Sequence, residues 1–515
     1  MPTVIDIHCH ILQADAVELD SFVSAYCRGV PPLQKLPPAV SEFFKGLLRA
    51  LTCRDAPPAD SHFRRHDPRG GLLGDLLRGI GRAPELGATL PRVWLSALAR
   101  ALDCGLPRWT LIWLLGKVFG GSLDLDQIFL NFTPVFTDRQ SRIVSRLLRT
   151  YEDHGVDLFV PLMTDYEDWL AGEPPWYAWK NSAAYVESRV EYSKRVMREH
   201  KGRIHFFAPF CPLRAAAAAK GCDTAGSVSD TADLVRKHGF LGVKLYPLMG
   251  YFPIDNVTSQ ESDRPAVSSG WESLDIQWRD VDDALWDLYV TCADEQIPIT
   301  VHCSPQGALG PTGAAPGALT KANQAHPENW RPVLDRLRDE GHPDLRLNLA
   351  HMAGDHFQNV KDEDKDGPKD WAYCIAKLMD GFGNVYSDRS CQIPPMEDTP
   401  GGMYRAYVAR HLDILRTSPK VGGRMMYGSD WHLALMYAGQ YLEALGRLDR
   451  MFGRQEFLQE FGDLRPGFFG ENAARFLGIC SDDPARNLNR GRLEAFYRTE
   501  LRLDPQEFPA WWKEV

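Results

Sequence analysis

Several absences narrow what this chain can do. It has no CxxC pair. Its 11 cysteines are scattered and odd in number, so they read as reduced thiols of a cytosolic protein, most of them in the core. It has no long basic stripe, and its formal net charge is −10, which argues against a nucleic-acid partner. No apolar run is long enough to cross a bilayer. The most apolar long stretch, WTLIWLLGKVFGG (109–121), is short and interrupted by Lys117, and reads as a buried or cap-forming helix. A strand-like run begins within the first residues, so no secretory signal is expected and the chain is placed in the cytoplasm. There is no GxSxG nucleophile elbow, no Walker A loop and no GxGxxG after a strand.

What is present is the composition of a globular protein, 44% apolar and 24% charged over 515 residues. That length exceeds one ordinary compact domain but suits a large α/β barrel with insertions. Eight short β-like runs recur: 4–10, 158–163, 204–210, 242–247, 299–303, 345–352, 384–390 and 424–430. Helical patterns, apolar at three- and four-residue steps, lie at 139–154, 181–200, 228–238, 280–296, 328–340, 370–381, 402–416 and 436–451. Alternating strands and helices imply parallel pairing with right-handed crossovers. Eight such units predict a (β/α)8 TIM barrel over 1–10 and 139–480, with an open doubly wound sheet as the second choice. Residues 11–138 hold no strand and are expected to form a helical cap over the barrel mouth, a dimerisation element, or both. The tail, 481–515, is expected to pack Trp511 and Trp512 on the barrel or on a second subunit.

The first run, VIDIHCH, places His8 and His10 on one face of a strand, with Asp6 on the same side and Cys9 opposite. Lys244 ends the fourth run, His302 the fifth, His351 the sixth and Asp430 the eighth. In a barrel, the C-terminal ends of strands converge on one site. Imidazoles with a carboxylate suit zinc, manganese or iron rather than magnesium. Weaker candidates for the substrate pocket are Tyr246, Tyr251, Trp176 and Arg389. Arg389 could instead pair with Asp388, and His432 could orient Asp430. Cys303 neighbours His302 but should point away from the barrel centre.

In order along the chain, DIHCH, GVKLYP, TVHC, LAHMAG, YGSDWH and GENAARFLGI (470–479) resemble the amidohydrolase superfamily. The likeness is strongest to its branch of decarboxylases and hydrolases related to aminocarboxymuconate semialdehyde decarboxylase. It spans both ends of the barrel and most strands, but neither 11–138 nor the tail. The resemblance implies a divalent metal, zinc first, held by His8, His10, His302 and Asp430. Asp430 would also take a proton from a metal-activated water. His351 would ligate a second metal, or act on substrate if there is one metal. Lys244 would carry a carboxylated Nζ bridging two metals, the form expected here; pairing with Asp6 or a substrate carboxylate is the alternative. The expected activity is hydrolysis of an amide or related C–N bond in a small or medium organic molecule. A mononuclear, non-oxidative decarboxylase is the alternative. A catalytically silent binding protein is a third reading, disfavoured because every ligand position is filled. A homodimer is a further expectation.

Overall fold

The computed structural model describes residues 3–11, 135, 138–165, 179–221, 226–258, 275–305, 322–354, 357, 360–392, 394–395, 402–431 and 443–515. Eight strands are present: β1 (Val4–Cys9), β2 (Val156–Pro161), β3 (Phe207–Pro209), β4 (Gly242–Leu245), β5 (Ile299–Val301), β6 (Leu347–Leu349), β7 (Val385–Asp388) and β8 (Met425–Met426). All pair in parallel, β1 with β2 and β3 through β8 in sequence order. Bridges between Phe159 and Ile204 and between Leu162 and Phe207 span the gap after β2. At the other gap Ile7 N donates to Tyr427 O (3.2 Å) and Asp430 N to His8 O (2.7 Å). The fold is α/β with parallel sheets.

Helices separate the strands: α1 (Gln140–Thr150), α2 (Trp179–Glu199), α3 (Pro212–Ala219), α4 (Val228–Lys237), α5 (Trp278–Asp294), α6 (Arg331–Asp339), α7 (Trp371–Gly381), α8 (Met403–Thr417) and α9 (Ala444–Phe452). Their stripes are regular. In α5, Val281, Leu285, Leu288 and Cys292 are buried, the spacing of one helix face. Ser227 and Asp230 form a reciprocal capping box that starts α4. β1 is buried at all six positions, as a parallel strand covered on both faces should be. Gly242 opens β4 where a Cβ would lie 2.4 Å from Pro298 O, so no larger residue fits that strand contact.

After α9 come α10 (Gln455–Phe461) and α11 (Asn472–Leu477); the tail adds α12 (Leu488–Thr499) and packs on this chain's own barrel segments. Trp511 and Trp512 are buried, and Trp511 Nε1 donates to Gly202 O (2.9 Å). His205 sits between Gly239 O (2.7 Å) and the Tyr497 hydroxyl (2.8 Å). The described cysteines are mostly buried. None of the described helices is long and apolar enough to cross a membrane. The strands are shorter than the sequence pattern suggests, and α3 lies outside the helical patterns read from the sequence. Apart from residues 11, 135 and 138, the 11–138 segment lies outside the described residues. So do Trp176, His432 and the first half of the 436–451 helix.

Candidate metal centre

β1 delivers His8 and His10 by period two, both buried. Each ring is fixed by a neighbour that can only accept a hydrogen bond. His10 Nδ1 lies 3.0 Å from Leu162 O. His8 Nδ1 lies 3.1 Å from Asp388 Oδ2. In the neutral rings, both Nδ1 atoms therefore carry the proton and both Nε2 atoms carry the lone pair. Asp430 Oδ1 lies 3.3 Å from His10 Nε2 and 3.8 Å from His8 Nε2. His8 Nε2 and Asp430 Oδ1 are buried without a hydrogen-bond partner. With both rings neutral, three lone-pair atoms face one another. That arrangement is repulsive unless a cation occupies the centre, and one imidazole-carboxylate set of this kind fits a divalent transition metal.

A second group, His8, His351 and Asp388, is also close enough to hold an ion by distance alone. It differs in its protons. Asp388 Oδ2 accepts from His8 Nδ1 and from Asn348 Nδ2 (2.7 Å). Asp388 Oδ1 accepts from His351 N (3.2 Å), Ser390 N (3.1 Å) and the Ser390 hydroxyl. These oxygens are satisfied by donors, not left facing other lone pairs. His351 Nε2 in turn lies 3.1 Å from His302 Nδ1, and the His302 and Tyr246 rings stack at 6.0 Å.

Burial sets the charges. It draws His8 down to about 3 and lowers His302 and His351, so these rings are neutral at pH 7. Burial pushes Asp6 up to about 7, against hydrogen bonds from Ser429. Burial also opposes charge on Asp388, but His8 and the Ser390 hydroxyl outweigh it and hold that carboxyl below the usual range. Lys244 is drawn down to about 8 by burial. Its Nζ has no hydrogen-bond partner and lies 4.9 Å from the Tyr246 ring centre.

Two of the site residues are held in left-handed backbone. Asp430 has φ 53°, and His351, Met352 and Ala353 have φ 70°, 40° and 69°. Such conformations cost roughly 1–3 kcal/mol each and gather at functional sites. The Gln392 side-chain amide clamps the second turn, donating to the carbonyls of His351 and Gly354.

The structure therefore brings His8, His10 and Asp430 into one cluster and joins His351 and His302 to it through hydrogen bonds and ring contacts. Lys244 lies within electrostatic reach of Asp388 and Asp430. Tyr246 lies beside this group, while the Tyr251 hydroxyl accepts from Tyr246 N (3.1 Å). Arg389 faces away: its guanidinium stacks 4.0 Å over the Phe357 ring and donates to Tyr407, without pairing with Asp388. Sequence reasoning missed Ser390, Asn348 and Gln392 as parts of the site, and read Asp388 as a substrate contact or a partner of Arg389. The alternation of NVYSDRS carried one signal, since it puts Asp388 and Arg389 on opposite faces.

No protein-family model and no curated protein matches the chain. Among solved structures it matches a 5-carboxyvanillate decarboxylase from Novosphingobium aromaticivorans, complexed with manganese and 4-hydroxy-3-methoxy-5-nitrobenzoic acid. Identity is 12%, coverage 74% of this chain and 91% of that one, and the TM-score 0.38. A 2,6-dihydroxybenzoate decarboxylase from Rhizobium matches at 13% identity over 65% and 87%, with a TM-score of 0.35. An amidohydrolase II matches at 13% over 65% and 88%, with a TM-score of 0.37. These structural neighbours are amidohydrolase-superfamily members. Likeness this distant carries no weight for the chemistry, which rests on the geometry above.

Proposed function

We propose that this chain is a metal-dependent hydrolase that cleaves an amide or related C–N bond of a small or medium organic molecule. The site sits at the mouth of a closed (β/α)8 barrel, a closure supported by the hydrogen bonds across both gaps in the strand order. The observation that carries the reading is the trio of facing lone pairs on His8, His10 and Asp430. These residues, with His302 as a further ligand, would hold zinc, or else manganese or iron. A divalent ion there supplies an acidified water, with a pKa near 7, and polarises the scissile carbonyl. Asp430, already ionised, accepts the proton that the attacking water gives up and returns it to the leaving nitrogen. His351 sits beside the reacting centre as a neutral acid-base group.

A second reading is non-oxidative decarboxylation on the same residues. The proton-satisfied contacts of Asp388 favour it, because they leave ligands for one ion rather than two. Lys244 bears on the same choice. Its buried, unpartnered amine is the group that carbon dioxide would carboxylate in a two-metal form. Metal analysis of protein loaded with zinc or manganese in labelled bicarbonate tests this directly. Two ions with a labelled carbamate on Lys244 support hydrolysis by the two-metal form; one ion with an unmodified lysine leaves decarboxylation in play. The loaded protein is then screened with amides for amine release and with aromatic carboxylates for carbon dioxide release. Amine release that vanishes in Asp430→Asn is the expected result. Carbon dioxide release alone would select the second reading, and failure to bind any transition metal would overturn both.

A further inference from the structure

We propose that Asp388 and Ser390, at the end of β7, are positioning residues that dictate which ring nitrogen of His8, His351 and His302 carries the proton. The argument follows hydrogen-bond polarity from one anchor. Asp388 is fully buried, and as a carboxylate it can only accept. The Ser390 hydroxyl is bonded to Asp388 Oδ1, so its single hydrogen points there. Its oxygen can then only accept from its other neighbours.

One such neighbour is His351 Nδ1, at 2.8 Å. That nitrogen must therefore carry the proton. The Ser390 carbonyl, another pure acceptor, lies 3.5 Å from the same nitrogen and demands the same assignment. In the neutral ring His351 Nε2 is then an acceptor, and it faces His302 Nδ1 at 3.1 Å. His302 must donate from Nδ1, which leaves its lone pair on Nε2. The other branch is shorter. His8 Nδ1 lies 3.1 Å from Asp388 Oδ2 and 3.0 Å from Ser390 Oγ, and both partners require Nδ1–H.

The result is a directed chain from His302 through His351 and Ser390 to Asp388, with His8 donating into the same carboxylate. Its consequence rests on the metal reading given above. His8 is set to present Nε2 as a ligand atom, whereas both nitrogens of His351 are engaged by neighbours. His351 is thereby placed as an acid-base group rather than as the ligand of a second metal. A carboxylate behind a ligating imidazole fixes its tautomer and raises its basicity.

The test reads proton positions without requiring metal or activity. Metal-free protein labelled with nitrogen-15 histidine is examined by long-range proton–nitrogen NMR. The expected result is Nδ1–H at His8, His302 and His351. In Ser390→Ala, His351 keeps only the distant carbonyl, so His351 and His302 should shift together toward Nε2–H; Ser390→Thr should restore both. Asp388→Asn should lower zinc affinity about 10–100-fold, read by chelator competition. Finding His351 or His302 as Nε2–H in the native protein would overturn the proposal, as would Ser390→Ala spectra identical to wild type. Three Nδ1–H rings in a protein that binds no zinc would instead remove the metal reading and leave this assignment standing.

Discussion

Gly428 is the place where one methyl group should disturb the metal centre. A Cβ added there would lie 2.8 Å from His8 Cβ, 3.0 Å from Ser390 Cβ and 3.5 Å from His8 N. Carbon atoms in contact settle about 3.5–4.0 Å apart, so His8 and Ser390 must each retreat by roughly 0.5–1 Å. Neither can do so easily. His8 is held by its carbonyl's bond to Asp430 N (2.7 Å) and by the pairing of β1 with β2; Ser390 is held by Asp388. Overpacking of this kind costs about 1–3 kcal/mol. The displaced His8 Nε2 also leaves the lone-pair trio, so zinc affinity should fall at least tenfold, about 1.4 kcal/mol or more. The assay is urea unfolding of the metal-free protein together with chelator competition for zinc, on Gly428→Ala and on Gly423→Ala. Gly423 has open space around it, so its variant controls for the loss of a glycine alone. If Gly428→Ala binds zinc and unfolds like Gly423→Ala, the packing argument for His8 is wrong.

Acid should weaken the seam between the tail and the strands: burial draws His205 from 6.5 down to about 4. Between those values the unfolded chain holds a proton that the folded chain lacks, so stability falls as pH drops. His205→Gln lacks this titration, and the wild-type advantage over it should shrink by about 3 kcal/mol from pH 7 to pH 4 in urea melts; a pH-independent difference would refute this. Zinc at one hundred times its Kd should raise the unfolding free energy by about 2.7 kcal/mol. The gain should vanish in His10→Ala and Asp430→Asn but survive in His205→Gln. Gln392→Ala frees the carbonyls of His351 and Gly354, so amide exchange at residues 351–354 should quicken; unchanged protection would show the clamp to be idle.

The parallel strand order and the grouping of His8 with His10 could be read from the chain because they depend on short-range rules. Period two alone aligns His8 with His10, and apolar runs mark each strand to within a few residues. Asp430 followed from its place at the end of the last run. Asp388 did not, because a carboxylate next to an arginine reads equally well as a surface pair. Its real partners, His8 and Asn348, lie 380 and 40 residues away, and only the parallel register unites them. The turn at His351 was equally hidden. Gly354 hints at it, but three non-glycine residues with positive φ are imposed by tertiary contacts such as the Gln392 clamp.

Charge supplies a separate reason to expect a cation. Other buried carboxylates in the described structure are matched: Asp165 pairs with Arg214 and Asp370 with Arg410. Such pairs need nothing else and read as structural. Around β1 and β7 the balance differs. Asp388 is held in the charged form, the neighbouring imidazoles whose shifts are resolved are neutral, and Lys244 is the cation that acts on Asp388 and Asp430. Lys244 makes no hydrogen bond to either carboxylate. An uncompensated buried charge costs several kcal/mol, which a fold can avoid by protonating the group. Asp6 takes that route, pushed up to about 7. Asp430 Oδ1 has no hydrogen-bond partner and lies 3.3 Å from His10 Nε2 and 3.8 Å from His8 Nε2. A buried carboxylate beside two imidazoles, with no lysine or arginine bonded to it among the described residues, is placed to bind a positive ion.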